Sequence, residues 1–248
     1  MKLFNLPYRG VLSVPTGGGK TLIGSVLANI LNVKTLFLVH GKDLKAQNLE
    51  TFQEVFKDTP ELVGTIDAKT FKPAQITVAS VDTLYSRLNN PDTEDDIKDF
   101  LKEIDFVICD ECHRATSNSF KEVVNLTKAP LRLGLSGTPL KKEDNRDLLL
   151  HSVTGPILYK IDASVLKERN ALALANLIPV LVSEPKIINK KITWPETMDL
   201  FIINNNYRHD LIARVAKSEF DKNKLILILV GNSVPLAHNI FNEFIKYV

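Results

Sequence analysis

The segment Pro15-Thr16-Gly17-Gly18-Gly19-Lys20-Thr21 joins an apolar run, Gly10–Val14, to a stretch with helical spacing, Thr21–Leu31. Gly19, Lys20 and Thr21 fit the phosphate-loop pattern G-x-x-x-x-G-K-[ST], while Val14 stands at its first glycine. Glycines let backbone N–H groups turn inward around phosphate oxygens at the positive start of a helix. Lys20 supplies a mobile cation for β and γ phosphates, and the Thr21 hydroxyl can hold Mg²⁺. The expected ligand is a nucleoside triphosphate with its Mg²⁺, seated on residues 15–21.

A second group of chemical interest lies in FVICDECHRA, residues 106–115, where an apolar run turns polar. Asp110 stands where a strand-end carboxylate can meet the loop's Mg²⁺, and Glu111 can polarise an attacking water as general base. His113 suits a polar coupler beside the γ phosphate. The same letters, Cys109 to His113, spell a C-x-x-C-H haem-attachment pattern and a C-x-x-C redox pair. Haem attachment needs export, and MKLFNLPYRG carries too short an apolar stretch for a signal peptide. Zinc lacks a second cysteine pair. Cys109 at the end of a buried strand is expected to pack as a small apolar group.

These residues need a scaffold. The chain has 248 residues, 44% hydrophobic and 24% charged, which suits a globular fold with a sizeable core and excludes disorder, collagen and a coiled-coil rod. With 31 basic and 29 acidic residues the net charge is +2, so no global field announces nucleic acid or membrane. Two cysteines and no long apolar run point to a reducing, cytoplasmic location. Runs apolar on both faces recur at Gly10–Val14, Thr35–His40, Ile76–Ser80, Asp105–Cys109, Arg132–Ser136 and Leu225–Val230. Helical spacing separates several of them, at Thr21–Leu31 and Asp43–Phe56. That alternation predicts an α/β fold, a parallel sheet with helices on both faces.

The acidic stretch 91–104 reads as an amphipathic helix started by a Thr93/Asp96 box, with Ile97, Phe100, Leu101 and Ile104 on one face. Beyond residue 184 the character changes. A linker is expected over 185–204, and the incomplete start of a second domain over 205–248, with helices near 207–220 and 235–247 flanking LILILV. The first domain is then 1–184.

Taken in order, VPTGGGKT, DECH and LSGTP resemble motifs I, II and III of superfamily 2 helicases, DEAD/DEAH-like and nearest the restriction-type and phage branch. TLFLVHGKDLKAQ is similar to motif Ia, ITVASVDTLY to motif Ib and LILILVGN to motif IV. The resemblance implies a RecA-like ATP-binding lobe followed by the start of a second one, acting as an ATP-dependent helicase or translocase on DNA or RNA, with DNA favoured. It implies ATP on Pro15 to Thr21, Mg²⁺ on Thr21 and Asp110, catalysis by Lys20, Asp110, Glu111 and His113, and coupling by Ser136 and Thr138. Contacts to the sugar–phosphate backbone fall to His40, Gly41, Lys42, Ser80 and Thr83. Departures are Gly137 for the usual Ala of motif III, Gly41 where relatives often have Arg, and no match to the upstream glutamine motif. Motifs V and VI, with their arginine finger, are also without a match, so a partner lobe is expected to complete the site. Two rival readings are a P-loop kinase or other small-molecule ATPase, and a non-catalytic or split lobe that binds nucleic acid or a partner chain.

Overall fold

Strands that are apolar on both faces demand cover on both sides, and the chain supplies it from two sets of helices. The computed structural model describes residues 8–114, 117–139, 146–168, 177–182, 193–231 and 234–247, without the side chains of 42 and 146–149. Two compact units result, Met1–Ala175 and Asn176–Val248.

The first unit is built on one sheet of β1 (Arg9–Ser13), β2 (Thr35–Val39), β3 (Val63–Ile66), β4 (Phe71–Lys72), β5 (Ile76–Ser80), β6 (Phe106–Asp110), β7 (Leu131–Ser136) and β8 (Ile157–Lys160). Their order is β4-β3-β5-β2-β6-β7-β1-β8. Every neighbouring pair is parallel except β3 with β4. The parallel α/β fold expected from the alternation is what forms.

Side-chain parity divides the core. Leu36, Leu38, Val107 and Cys109 face α3 (Val81–Leu88), α4 (Glu94–Lys102), α5 (Asn118–Leu126) and α6 (Arg146–Thr154). Phe37, Val39, Phe106 and Ile108 face α1 (Lys20–Leu31) and α2 (Lys42–Val55). A short α7 (Ala163–Glu168) follows β8. Buried Arg132 of β7 donates to Val124 O and Val153 O near the C-terminal ends of α5 and α6, where carbonyl dipoles favour a cation. Burial, then the neighbouring charge of Arg9, pushes its pKa down.

Local chemistry sets several helix starts. Ser80 and Ser117 accept from Thr83 N and Phe120 N, capping α3 and α5. Helix α4 has the expected acids in its first turn and buries Ile97, Phe100 and Leu101. Its expected box does not form, because the Thr93 hydroxyl donates to Arg87 O at 2.9 Å instead of accepting from the helix.

In the second unit, α8 (Trp194–Met198) continues into a π-turn over Asp199–Ile203, followed by α9 (Asn206–Phe220) and α10 (Val234–Ile245). Part of the stretch expected as linker is therefore helical, since Glu196 accepts from Thr193 N and Pro195 fits the first turn. Residues 183–192 of that stretch lie outside the described residues. The run Leu225–Val230, expected as a strand, pairs with no strand among the described residues. A graded alternation survives: Leu227 and Leu229 are 83% and 85% exposed, whereas Ile226 and Ile228, at 37%, line an apolar cavity of about 570 Å³ with Leu225, Ala216, Phe220 and Phe244. A ladder needs a partner backbone, and none is within these residues. No helix among the described residues is long and apolar enough to cross a membrane.

Close packing under the sheet makes a test. A Cβ on Gly134 would lie 2.8 Å from Cys112 Sγ and 3.1 Å from Val11 Cγ2. Gly134→Ala is expected to cost about 1–3 kcal/mol by overpacking. Gly134→Ala combined with Cys112→Ala should recover part of that loss in thermal unfolding.

Candidate nucleotide site

Five strands of the sheet end at one edge, and each delivers residues singled out by the sequence. From β1 the chain keeps its pairing one residue further, with Val14 N donating to Ser136 O at 2.9 Å, and then turns. Gly18 N donates to Pro15 O at 3.0 Å to close the turn, and Gly19, with φ of 79°, starts α1. Only glycine fits at 18, because a Cβ would lie 2.6 Å from Val14 Cγ1 and 3.0 Å from Pro15 O. Val14, the residue that departs from the phosphate-loop pattern, is therefore the loop's buried floor. The first turn of α1 holds no acidic side chain to neutralise its positive end.

Two strands away, Asp110 ends β6. Register places Asp110 and Leu12 on either side of Leu135, a span of roughly 10 Å for two strand spacings. By parity with Ile108, Asp110 faces α1 and α2. Asp110 is 7% exposed, and its Oδ1 is buried with no hydrogen-bond partner. Burial, then the charge of Glu111, raises its pKa; the Glu111 backbone, Lys20 and Asn48 oppose the rise.

Glu111 adopts φ of 47°, a left-handed conformation that costs a non-glycine residue about 1–3 kcal/mol. The turn aims its carboxylate back along the sheet edge, where Lys20 Nζ lies 3.3 Å from Oε1 and His113 Nδ1 3.3 Å from Oε2. His113 Nδ1 is also 3.0 Å from Ser136 Oγ, and Thr138 N donates to that oxygen at 3.2 Å. Lys20, Glu111, His113, Ser136 and Thr138 thus form one polar chain. It runs beside a cleft of about 480 Å³ lined by Pro15, Thr16, Leu44, Glu111, His113 and Arg114, with Gly137 and Thr138.

Other candidates are placed differently. His40, at the end of β2, stacks on Phe120 with ring centroids 5.5 Å apart, and its buried Nε2 has no partner. Burial, then Arg114, lowers its pKa. Gly41, with φ of 79°, and Lys42 begin α2. Ser80 is fully buried, and its hydroxyl donates to Thr83 Oγ1 at 2.8 Å while capping α3. These two side chains form their own pair, apart from the polar chain of the cleft. Cys109 and Cys112 are fully buried. Burial is the main cause that raises the Cys109 thiol's pKa and pushes Cys112 up to about 12, leaving both as inert apolar packing.

Reading the sequence missed Leu44, Arg114 and Asn48. Arg114 directly follows the acidic motif, so proximity alone could have flagged it. Asn48, whose Oδ1 accepts from the Thr21 hydroxyl at 2.5 Å, stands far from both motifs and carries no local signal.

Residues 2–141 match the family described as type III restriction enzyme, res subunit. A putative helicase of the Sulfolobus islandicus filamentous virus is 29% identical over 198 residues, covering 76% of this chain and 34% of the viral protein. The DNA 3'-5' translocase XPB2 of Sulfurisphaera tokodaii is 29% identical over 152 residues, covering 61% of this chain and 32% of that one. The chain thus spans about a third of the length of these curated relatives. In fold it resembles the Hef helicase domain of Pyrococcus furiosus, with a TM-score of 0.53 at 19% identity over 97% of this chain and 51% of that one. It also resembles the UvsW helicase of bacteriophage T4, with a TM-score of 0.50 at 22% identity over 61% and 54% of the two chains. These neighbours agree with a RecA-like lobe.

The glycines of the site separate two steric situations. A Cβ on Gly137 would make ordinary contacts of 3.5 Å with Thr16 N and Val14 O. Gly137→Ala should leave nucleotide affinity unchanged and stabilise by up to about 1 kcal/mol through the unfolded chain. Gly18→Ala should weaken nucleotide binding by distorting the loop. Thermal melting with a fluorescent-nucleotide titration checks both.

Proposed function

Because the chain belongs to the family of the type III restriction enzyme res subunit, we propose that it is the ATP-binding lobe of a nucleic-acid translocase or helicase, acting on DNA in the cytoplasm. The observation that carries this reading is the ion pair between Lys20 of the phosphate loop and Glu111 of the strand-end acidic motif, 3.3 Å apart beside the cleft.

Mg²⁺ fits the donor set. Asp110 Oδ1 is a buried carboxylate oxygen without a partner, and the Thr21 hydroxyl sends its proton to Asn48, leaving its lone pairs available. Among the described residues, no group of three or more His, Cys, Asp or Glu is placed to hold a metal ion by itself. Mg²⁺ commonly takes only one or two protein ligands, completing its shell with water and phosphate. When bound, it neutralises charge on the phosphate oxygens.

The residues then divide the work. Backbone N–H groups of Gly17, Gly19 and Lys20 and the Lys20 ammonium hold the β and γ phosphates, while the Gly18 N–H stays on Pro15 O. The Lys20–Glu111 pair is mostly buried, its side chains 10% and 28% exposed. A triphosphate carries more negative charge than one carboxylate, so it draws Lys20 away and frees Glu111. Glu111 accepts the proton of a water whose oxygen bonds the γ phosphorus as the bond to the bridging oxygen breaks, yielding ADP and phosphate. His113 Nδ1, within reach of both Glu111 and Ser136, links this step to the loop carrying Thr138. That loop, with Gly41, Lys42 and the ends of β2 and β5, is the proposed coupling path to a nucleic-acid backbone. His40 enters this path through the ring it stacks on and the nearby Arg114, while Ser80 and Thr83 shape the β5 end.

A second RecA-like lobe, supplied by a longer chain or a separate polypeptide, is proposed to complete the site with an arginine. Such a residue is worth about 10³–10⁵ in rate in related phosphoryl-transfer enzymes. The 248-residue chain alone should accordingly bind ATP and hydrolyse it slowly, with or without DNA. Vigorous DNA-stimulated turnover by this chain would contradict that expectation. Lys20→Ala should abolish ATP binding in a nucleotide titration. Glu111→Gln should keep binding and lose turnover when assayed with the complementary lobe. Equal ATP affinity in Lys20→Ala would refute the site.

A further inference from the structure

The two proposed Mg²⁺ ligands come from different elements, Thr21 from α1 and Asp110 from β6, and a residue of a third element bears on both. Asn48 lies in the middle of α2 and is 4% exposed. Its Oδ1 accepts from the Thr21 hydroxyl at 2.5 Å, and its Nδ2 donates to Leu44 O one turn earlier at 2.7 Å. The same side chain is among the groups that oppose the rise in the Asp110 pKa, after burial and Glu111 have raised it.

An amide buried in the middle of a helix is costly unless its polar atoms are paired. Here the pairing fixes which way the amide points. Exchanging its two ends would set the Asn48 oxygen against the Leu44 carbonyl oxygen, so the nitrogen must face Leu44 and the oxygen must face Thr21. That orientation matters to a hydroxyl ligand, which has a single proton and must direct it away from a cation. Asn48 Oδ1 is where the Thr21 proton goes. Strand parity meanwhile puts Asp110 on the face of the sheet covered by α1 and α2, with Oδ1 left unpaired.

We infer that Asn48 is the positioning residue of the metal site. It takes up the Thr21 proton, so that Thr21 Oγ1 turns its lone pairs, together with the unpaired Asp110 Oδ1, to a divalent cation. Asn48 acts through Thr21, and the inference rests on the reading that Thr21 and Asp110 hold Mg²⁺.

The test is the affinity of the 248-residue chain for a fluorescent ADP analogue, measured across an Mg²⁺ titration and in excess EDTA. Asn48→Leu keeps the volume and removes the hydrogen bonds. It should leave affinity in EDTA unchanged and raise the Mg²⁺ concentration for half-maximal effect by about 10–100-fold, as loss of groups behind metal ligands does. Asn48→Asp retains an acceptor for the Thr21 hydroxyl but sets its other oxygen against Leu44 O, so it should recover part of the wild-type Mg²⁺ requirement. If Asn48→Leu does not fold, Asn48→Ala carries the same comparison. Three outcomes overturn the inference: an unchanged Mg²⁺ requirement in the apolar variant, equal losses in Mg²⁺ and EDTA, or an Asp variant no better than the apolar one. A wild-type chain indifferent to Mg²⁺ would sink the ligand assignment as well. A dependent wild type with an indifferent Asn48→Leu sinks only the role of Asn48.

Discussion

Lys20 Nζ and Glu111 Oε1, 3.3 Å apart, close a gap that the sheet leaves open. Their parent strands β1 and β6 are separated by β7, so the phosphate loop and the acidic turn reach one another only because a long, flexible ammonium side chain spans the interval. The strained turn at Glu111 supplies the other half of the span, with φ of 47° bending the carboxylate toward the loop. Between them β7 contributes Ser136, and the polar chain through His113 follows from that strand order. The cleft is thus a consequence of parallel strands ending at one edge in a particular sequence, which is where open α/β sheets place their sites.

Burial of charge has two opposite consequences at the same strand end. Asp110 is withdrawn from water without a full set of partners, which raises its pKa and leaves an oxygen suited to a cation. The cysteines on either side of the acidic pair are withdrawn too, and burial chiefly drives their thiol pKa values up, so they are silenced instead. The difference lies in which face each residue occupies. Cys109 points into the apolar layer beneath α3 to α6, whereas Asp110, one residue on, points toward α1 and α2, where Thr21 and Asn48 wait.

Much of this was legible along the chain. The runs Thr35–His40, Ile76–Ser80 and Arg132–Ser136 are apolar on both faces, a pattern that needs only the local composition, and they fall on β2, β5 and β7 to within one residue. The phosphate loop was legible because its glycines and Lys20 are contiguous. Short or weakly apolar elements were not: β3, β4 and β8 are held by neighbours rather than by their own pattern. The Thr93 box misled because a hydroxyl can donate as well as accept, and Arg87 O outcompeted the helix start. LILILV read as a strand because its composition is that of one, yet a strand also needs another backbone beside it.

The amino-acid sequence by itself determined which residues can do chemistry and which segments must be covered, since side-chain type and periodicity are local properties. It carried the phosphate loop, the acidic pair and the α/β alternation. Only the tertiary structure decided that Val14 floors the loop, that Gly18 is sterically required, that Glu111 lies against Lys20, and that Asn48 stands behind Thr21. Those facts arise from strand order and parity, which bring residues remote in the chain within hydrogen-bonding distance. No linear spacing encodes such distances.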